Sequence, residues 1–391
     1  MNSSASHGGH HIHFHIPPAV KAICSFIKRN AVLFIAAFLA LVTSFIVKPD
    51  AEYLGYFDFR TLTCLFCTLA VICALKNIRF FTFLARKIVT GTGNLRMAVI
   101  ALVYITFIGS MLIANDMALL TFLPLGFFVL DSVNQRKYMA FTFIMQNIAA
   151  NLGGMLTPFG NPQNLYLYSN FEIPTGDFVL TMLPIFAIAV TLITLVCIVF
   201  VKPEKINLTD NEKITLPPVR TLIYIVLFAF SIVIVFRIVH YLIGLILIPL
   251  ALLFLDRKAL GKVDYALLLT FVCFFIFAGN MGRIDAVREI FSALLDKNTL
   301  LVSVTSCQVI SNVPSAILLS CFTENWRELL IGVNIGGAGT LIASLASLIT
   351  FKEYTRNEPT KVRHYIGLFS LINFAFLIIL TVAALFIVKL Y

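Results

Sequence analysis

Two segments, Asn151-Leu-Gly-Gly-Met-Leu-Thr157-Pro-Phe-Gly160-Asn161 and Asn334-Ile-Gly-Gly-Ala-Gly-Thr340-Leu-Ile-Ala-Ser344, align without a gap. Each places glycine and polar residues in an otherwise apolar run whose helix they break. Each also follows a second polar interruption: Ala114-Asn115-Asp116 precedes the first copy and Ser311-Asn312-Val313-Pro314 the second. Secondary transporters build ion and substrate sites from paired helix breaks near the middle of a membrane.

Composition sets the class. With 60% hydrophobic and 12% charged residues, a chain of 391 residues cannot cover a soluble globule with polar surface, so it reads as an all-α polytopic membrane protein. Apolar runs at 31–47, 61–75, 178–201, 219–236, 238–255, 264–281 and 365–388 are candidate spans, because roughly 20 residues at 1.5 Å rise cross the hydrocarbon layer. None carries a cleavable signal pattern, so the first is read as a true span. The net charge of +10 does not mark a nucleic-acid binder, because Lys and Arg lie at span ends, where they orient a membrane protein. Cys64 and Cys67 have a redox-like spacing but fall mid-helix without a partner pair, and read as small packing residues. The His-rich tail, residues 1–30 with five histidines from His7 to His15, reads as a polar cytoplasmic extension, although such a tract can bind transition metals.

The stretch from Met97 to Leu130 decides the topology. Its only charge is Asp116, and as one helix its 34 residues would be about 51 Å long, too long for one span. Basic residues flank it on both sides, Arg86, Lys87 and Arg96 before it and Arg136 and Lys137 after it. Both ends therefore belong on the cytoplasmic face, and the segment enters and returns as a re-entrant hairpin (97–130) of two half-helices with Asn115-Asp116 at its tip. Residues 299–323, with Ser311-Asn312 at the tip, read as a second hairpin from the opposite face. Residues 138–170 and 328–351, which carry the repeated motif, read as broken spans. The expected architecture is about nine crossings plus two hairpins, arranged as two inverted repeats, 31–201 and 238–391, joined by a loop and linking span at 202–237. The N-terminus is expected inside and the C-terminus outside, an orientation that places 21 of the 29 Lys and Arg inside. Asp58 and Asp264 open equivalent spans in the two halves.

Non-helical backbone inside hydrocarbon is tolerated only where protein or a watery cavity receives its polar groups. Four breaks at similar depth thus imply one chamber. Hairpin tips aim helix N-termini, with free N–H groups, at anions. Unwound carbonyls suit Na⁺. The candidate binding residues are Asn115, Asp116, Thr157, Gly160, Asn161, Pro162, Asn164, Ser311, Asn312, Thr340 and Ser344, with Na⁺ placed at Asn115, Asp116 and Asn312. An Asn offers both donor and acceptor. Asp116 is the one acid at mid-depth, where a carboxylate is costly enough to be functional by default, as cation ligand or proton carrier. Arg283 and His240 fall near external span ends and read as interface residues.

These residues resemble the ion transporter superfamily, which includes divalent anion/sodium symporters, citrate transporters, arsenite efflux permeases and sodium/proton antiporters, over about 31–389. Ala114-Asn-Asp-Met-Ala-Leu-Leu-Thr-Phe-Leu-Pro124 is similar to the first hairpin of arsenite permeases. Thr157-Pro-Phe-Gly-Asn-Pro-Gln-Asn-Leu165 is similar to anion permeases of the citrate-transporter type. Ser311-Asn312-Val313 is similar to the Ser-Asn-Thr signature of the divalent anion symporters, although the first tip reads Ala-Asn-Asp and the second lacks the threonine. The resemblance implies a homodimeric elevator-type transporter in the cell's inner membrane, with a scaffold and a mobile transport domain.

The function expected is ion-coupled secondary transport of a small anion, with Na⁺ or H⁺ as coupling ion and no bound cofactor. The alternatives are a sodium/proton antiporter using Asp116 and an arsenite-type efflux permease. No Gly-x-x-x-x-Gly-Lys-Ser/Thr motif points to ATP. No nucleophile–base pair or His-Glu-x-x-His points to an intramembrane enzyme.

Overall fold

The computed structural model describes residues 30–206 and 214–390; most of the His-rich tail and Cys24 lie outside them. Among the described residues the regular structure is helical, apart from one isolated bridge between Asn94 and Lys205. The helices are α1 (Ala31–Ile46), α2 (Phe59–Asn77), α3 (Phe80–Val89), α4 (Leu95–Ile113), α5 (Asn115–Ser132), α6 (Met139–Gly153), α7 (Pro162–Asn170), α8 (Thr175–Phe200) and α9 (Pro218–Val235). They continue as α10 (Tyr241–Leu255), α11 (Arg257–Gly261), α12 (Tyr265–Gly282), α13 (Asp285–Ile310), α14 (Asn312–Leu319), α15 (Trp326–Ile335), α16 (Leu345–Asn357) and α17 (Val362–Ile387). Among the described residues six helices are long and apolar enough to cross a membrane: α2, α4, α8, α9, α12 and α17 with its preceding turn. The apolar helices α1 and α10 are shorter.

The helices begin where the sequence supplies a cap. Asp58 Oδ1 accepts from Thr61 N and Asp264 Oδ1 from Leu267 N, both at 2.9 Å, which fixes the starts of α2 and α12 by the same device. Asn94 Oδ1 does this for α4, accepting from Met97 N at 2.9 Å, while proline at the first turn starts α7 and α9. The first helix of each half packs on the next long helix of the other, α1 on α12 and α10 on α2.

Both polar tips are hairpins. α4 and α5 pack against each other and reverse at Ala114, and Glu204 joins their far ends: its carbonyl accepts from Leu95 N at 2.8 Å, its carboxylate from Gln135 Nε2 at 2.8 Å, and Lys137 Nζ lies at 3.5 Å. In the second half, α13 and α14 reverse at Ser311. There the segments flanking the hairpin meet through the stacked Phe291 and Phe322 rings, 5.0 Å apart, and Glu328 of α15 accepts from Leu300 N, at the start of the first arm, at 3.0 Å.

The two hairpins differ in size. The arms of the first, 19 and 18 residues, are about 28 and 27 Å long, so they are longer than the half-helices expected from the sequence. The second is shorter because Asn298 leaves helical geometry (φ −168°, ψ 92°) and caps the hairpin arm itself, its Oδ1 accepting from Leu301 N at 2.7 Å. Residues 285–297 thus become a separate helical arm, matched in the first half by α3. Neither was expected.

Every residue of α6 is buried, as are Leu329–Ile335 of α15. These two broken helices form the centre, and each is interrupted where glycines let other backbone in. An added Cβ at Gly153 would lie 2.3 Å from Phe107 O and 2.5 Å from Ser110 Oγ, and at Gly336 2.8 Å from the Cys307 side chain. The described cysteines are free thiols, Cys64 and Cys67 among them, and apart from the half-buried Cys273 and the exposed Cys321 they are buried.

Candidate functional site

The two tips share one backbone conformation. Ala114 (φ 62°, ψ 152°) and Ser311 (φ 75°, ψ 158°) both occupy a region that is nearly reserved for glycine. Each tip is followed by an Asn whose Oδ1 accepts from the next N–H: Asp116 N to Asn115 at 2.9 Å and Val313 N to Asn312 at 3.0 Å. Each hairpin is tied to its own unwound segment by a threonine that reaches the residue three before the tip. Thr157 Oγ1 donates to Met111 O at 2.9 Å and Thr340 Oγ1 to Gln308 O at 3.1 Å. The second tip is held further, because Asn312 N and Ser311 Oγ both donate to Ala343 O, at 3.0 and 3.2 Å.

The first tip and both unwound segments meet in a buried amide and hydroxyl network, which the second tip adjoins at Ala343. Asn115 Nδ2 donates to Asn151 Oδ1 (3.3 Å), Asn151 Nδ2 to Ser344 Oγ (3.1 Å), and Asn147 Nδ2 to Ser347 Oγ (3.2 Å), while Ser344 and Ser347 pair at 3.0 Å. From the other motif copy, Asn334 Nδ2 donates to Asn164 Oδ1 at 2.6 Å, and Asn161 Nδ2 lies 3.4 Å from both Asn334 Oδ1 and Asn151 O. Asn151 and Asn334 are aligned residues, as are Asn161 and Ser344, so each motif Asn crosses to the other copy. Asn164 Nδ2 also reaches Gly154 O and Met155 O, at 3.1 and 3.3 Å, which satisfies carbonyls freed by the break. Gly160 is obligatory, since a Cβ would meet Gly154 O at 2.4 Å. The Oδ1 of Asn161 and the Oε1 of neighbouring Gln163 are buried without a protein partner.

Of the expected site residues, Asn115, Asn161, Asn164, Ser311, Asn312 and Ser344 are brought together around this network, and Thr157 and Thr340 anchor the hairpins to it. Asp116 and Pro162 face elsewhere. They line a cavity of about 90 Å³ with Thr68, Leu69, Leu120, Phe159, Leu345 and others, and Asp264 also borders it. One carboxylate oxygen of Asp116 and the hydroxyl of Thr68 are buried there without a hydrogen-bond partner. The sequence reading missed Asn147 and Gln308. Asn147 was visible as the i−4 neighbour of Asn151 on α6. Gln308 accepts from Thr340 N at 2.9 Å and donates to Gly336 O and Ala338 O, at 2.9 and 3.1 Å. Arg283 and His240 take structural roles: Arg283 pairs with Asp50 at 2.6 Å, and His240 Nδ1 accepts from Leu242 N at 3.3 Å at the start of α10.

Residues 20–323 match the model of the citrate transporter family. The chain belongs to that family. It is 33% identical over 355 residues to an uncharacterized transporter of Methanocaldococcus jannaschii, covering 90% of this chain and 96% of the relative. It is 28% identical over 283 residues to the inner membrane protein YbiR of Escherichia coli, covering 70% and 74% of the two chains. A third relative, the silicon efflux transporter LSI3 of rice, is 32% identical over 159 residues, 40% of this chain and 32% of the relative. The chain is thus a membrane transporter of this family.

Proposed function

We propose that the chain is an ion-coupled secondary transporter of a small anion, coupled to Na⁺ or H⁺. The observation that carries this reading is the joining of the first tip and both unwound segments through crossed Asn and Ser contacts, with the second tip tied to the same segments through Ala343 O. A structural network alone does not require two nearly glycine-only tips or duplicated breaks. In this reading the halves are inverted repeats, an arrangement supported by the reciprocal packing of α1 on α12 and α10 on α2. The hairpins are re-entrant, supported by the meeting of the first hairpin's ends at Glu204 and by the stacked Phe291 and Phe322 rings that flank the second. The hairpins and broken helices form a mobile domain that moves as an elevator against a scaffold of α1, α2, α9, α10 and α12. The protein works as a homodimer in the cell's inner membrane, with its N-terminus inside.

Asn115 and Asn312 contribute amides and carbonyls to the cargo, and the N-terminal N–H groups of α5 and α14 favour an acceptor-rich or negative group. Asp116 carries the coupling ion at the edge of the network. A second reading, efflux of an undissociated hydroxy acid of the arsenous or silicic type, is favoured by one observation. The network consists of neutral amides and hydroxyls, and its unpartnered buried atoms, Asn161 Oδ1 and Gln163 Oε1, are acceptors that an O–H group would satisfy.

Proteoliposomes separate the readings. Labelled citrate or succinate accumulating under an imposed Na⁺ or proton gradient supports the first. Movement of arsenite or silicic acid without carboxylate uptake supports the second. Asp116→Asn is expected to abolish gradient-driven accumulation while leaving cargo-induced thermal stabilisation, and unchanged accumulation would remove Asp116 from the coupling role.

A further inference from the structure

The ten-residue helix α3 takes no part in the site, yet it is built for a surface. Phe81, Ala85 and Val89, at i, i+4 and i+8, are buried, while Leu84 and Ile88 on another face are each 47% exposed. The helix joins two apolar spans, α2 and α4, so its position is the end of the bundle, where an exposed apolar stripe meets the lipid boundary and flanking charges meet headgroups.

The charge on this connection is one-sided. Between Phe59 and Asn115 the chain has no Asp or Glu, whereas Lys76, Arg79, Arg86 and Lys87 lie on or beside α3. The matching connection in the second half, 283–298, carries Arg283, Arg288 and Lys297 against Asp285, Glu289 and Asp296, so its charges balance. Orientation by positive charge alone does not require the basic residues to be gathered on an amphipathic helix with an exposed apolar face.

We propose that α3 is a docking surface for anionic phospholipid headgroups, and that the bound lipids brace the first hairpin. Leu84 and Ile88 enter the acyl boundary while the exposed Lys76 and Lys87 gather headgroup phosphates and the two arginines add to the positive field. The link to the hairpin is direct: α3 packs on both α4 and α5, and the Arg86 guanidinium sits over the Phe128 ring of α5 at 5.0 Å. Each cation near an anionic surface favours it about fivefold over a neutral one. The inference goes beyond the transport reading and does not depend on it, because it concerns no cargo.

The test uses the full-length protein in nanodiscs of phosphatidylcholine alone or with a third phosphatidylglycerol, read by hydrogen–deuterium exchange. Segment 80–89 of the wild type is expected to exchange at least about fivefold more slowly with phosphatidylglycerol, and segment 285–297 equally in both. Combined Lys76→Gln, Arg79→Gln, Arg86→Gln and Lys87→Gln is expected to remove the lipid dependence. The single exposed change Lys87→Gln, which does not threaten folding, is expected to reduce it. Equal exchange of 80–89 in the two compositions, a dependence that survives the fourfold change, or equal slowing of 285–297 would overturn the proposal.

Discussion

Replacing Ala114 by glycine is predicted to stabilise the protein. Ala114 and Ser311 hold φ of 62° and 75° with ψ near 155° in both cases, a combination that costs a side-chain-bearing residue about 1–3 kcal/mol. Glycine adopts it freely but has more conformational freedom to lose on folding, which offsets about 0.5–1 kcal/mol. The net gain for Ala114→Gly is therefore about 0–2.5 kcal/mol, or about 0–3 °C in Tm for a chain of this size. Ala114 makes no side-chain hydrogen bond, so nothing else is lost. Ser311→Gly is the less clean experiment, because it also deletes the Oγ bond to Ala343 O, worth about 0.6 kcal/mol in a membrane protein. Ala114→Val acts in the opposite direction, since a β-branched residue fits positive φ worst, and it is predicted to lower Tm by several degrees. Thermal unfolding of the detergent-solubilised protein measures all three. A lower Tm for Ala114→Gly together with an unchanged Tm for Ala114→Val would show that the tip is not strained and that the matching conformations have no energetic meaning.

Gly153 of the first motif and Gly337 of the second are predicted to differ. Gly153→Ala places a methyl 2.3 Å from backbone oxygen and is expected to cost about 1–3 kcal/mol, whereas Gly337→Ala meets no atom closer than the Asn312 amide at 3.2 Å and is expected to keep stability while disturbing the second tip; equal unfolding temperatures for the two variants would refute the packing assignment. At the outer edge of α12, hydrogen bonds from Arg283 hold the Asp50 carboxyl below its ordinary value of 3.8. A lowered folded-state pKa contributes stability that is complete above the ordinary value and lost as pH falls through the lowered one. The 50–56 turn is therefore predicted to loosen only in that acid range, read by amide exchange, and Arg283→Gln to make the turn loose at neutral pH as well; acid-independent exchange in the wild type would dismiss the pair.

The breaks, the caps and the hairpin ends were legible because each is a local chemical event. Asp58 and Asp264 read as span openers and prove to be helix caps of one geometry, and a 34-residue apolar run bounded by basic residues had to turn back. The connecting helix α3 escaped notice because ten residues of mixed polarity between two apolar helices carry no period long enough to stand out. The partners of the site escaped for a different reason. The motif copies are 183 residues apart but the tips are 197 apart, since 36 residues separate Asn115 from Asn151 and only 22 separate Asn312 from Asn334. A single alignment therefore cannot register tip and motif together, and Gln308 matches nothing until Thr340 is seen to bond it as Thr157 bonds Met111. The weaker polarity of the second unwound segment, Thr340 to Ser347, also has a geometric reason. Asn151 crosses to Ser344, and its equivalent Asn334 crosses to Asn161 and Asn164, so the bulky amides of the first segment and the small hydroxyls of the second fill one shared space. Two fully amide-lined segments would overfill it, and two hydroxyl-lined ones would leave the motif asparagines unmet.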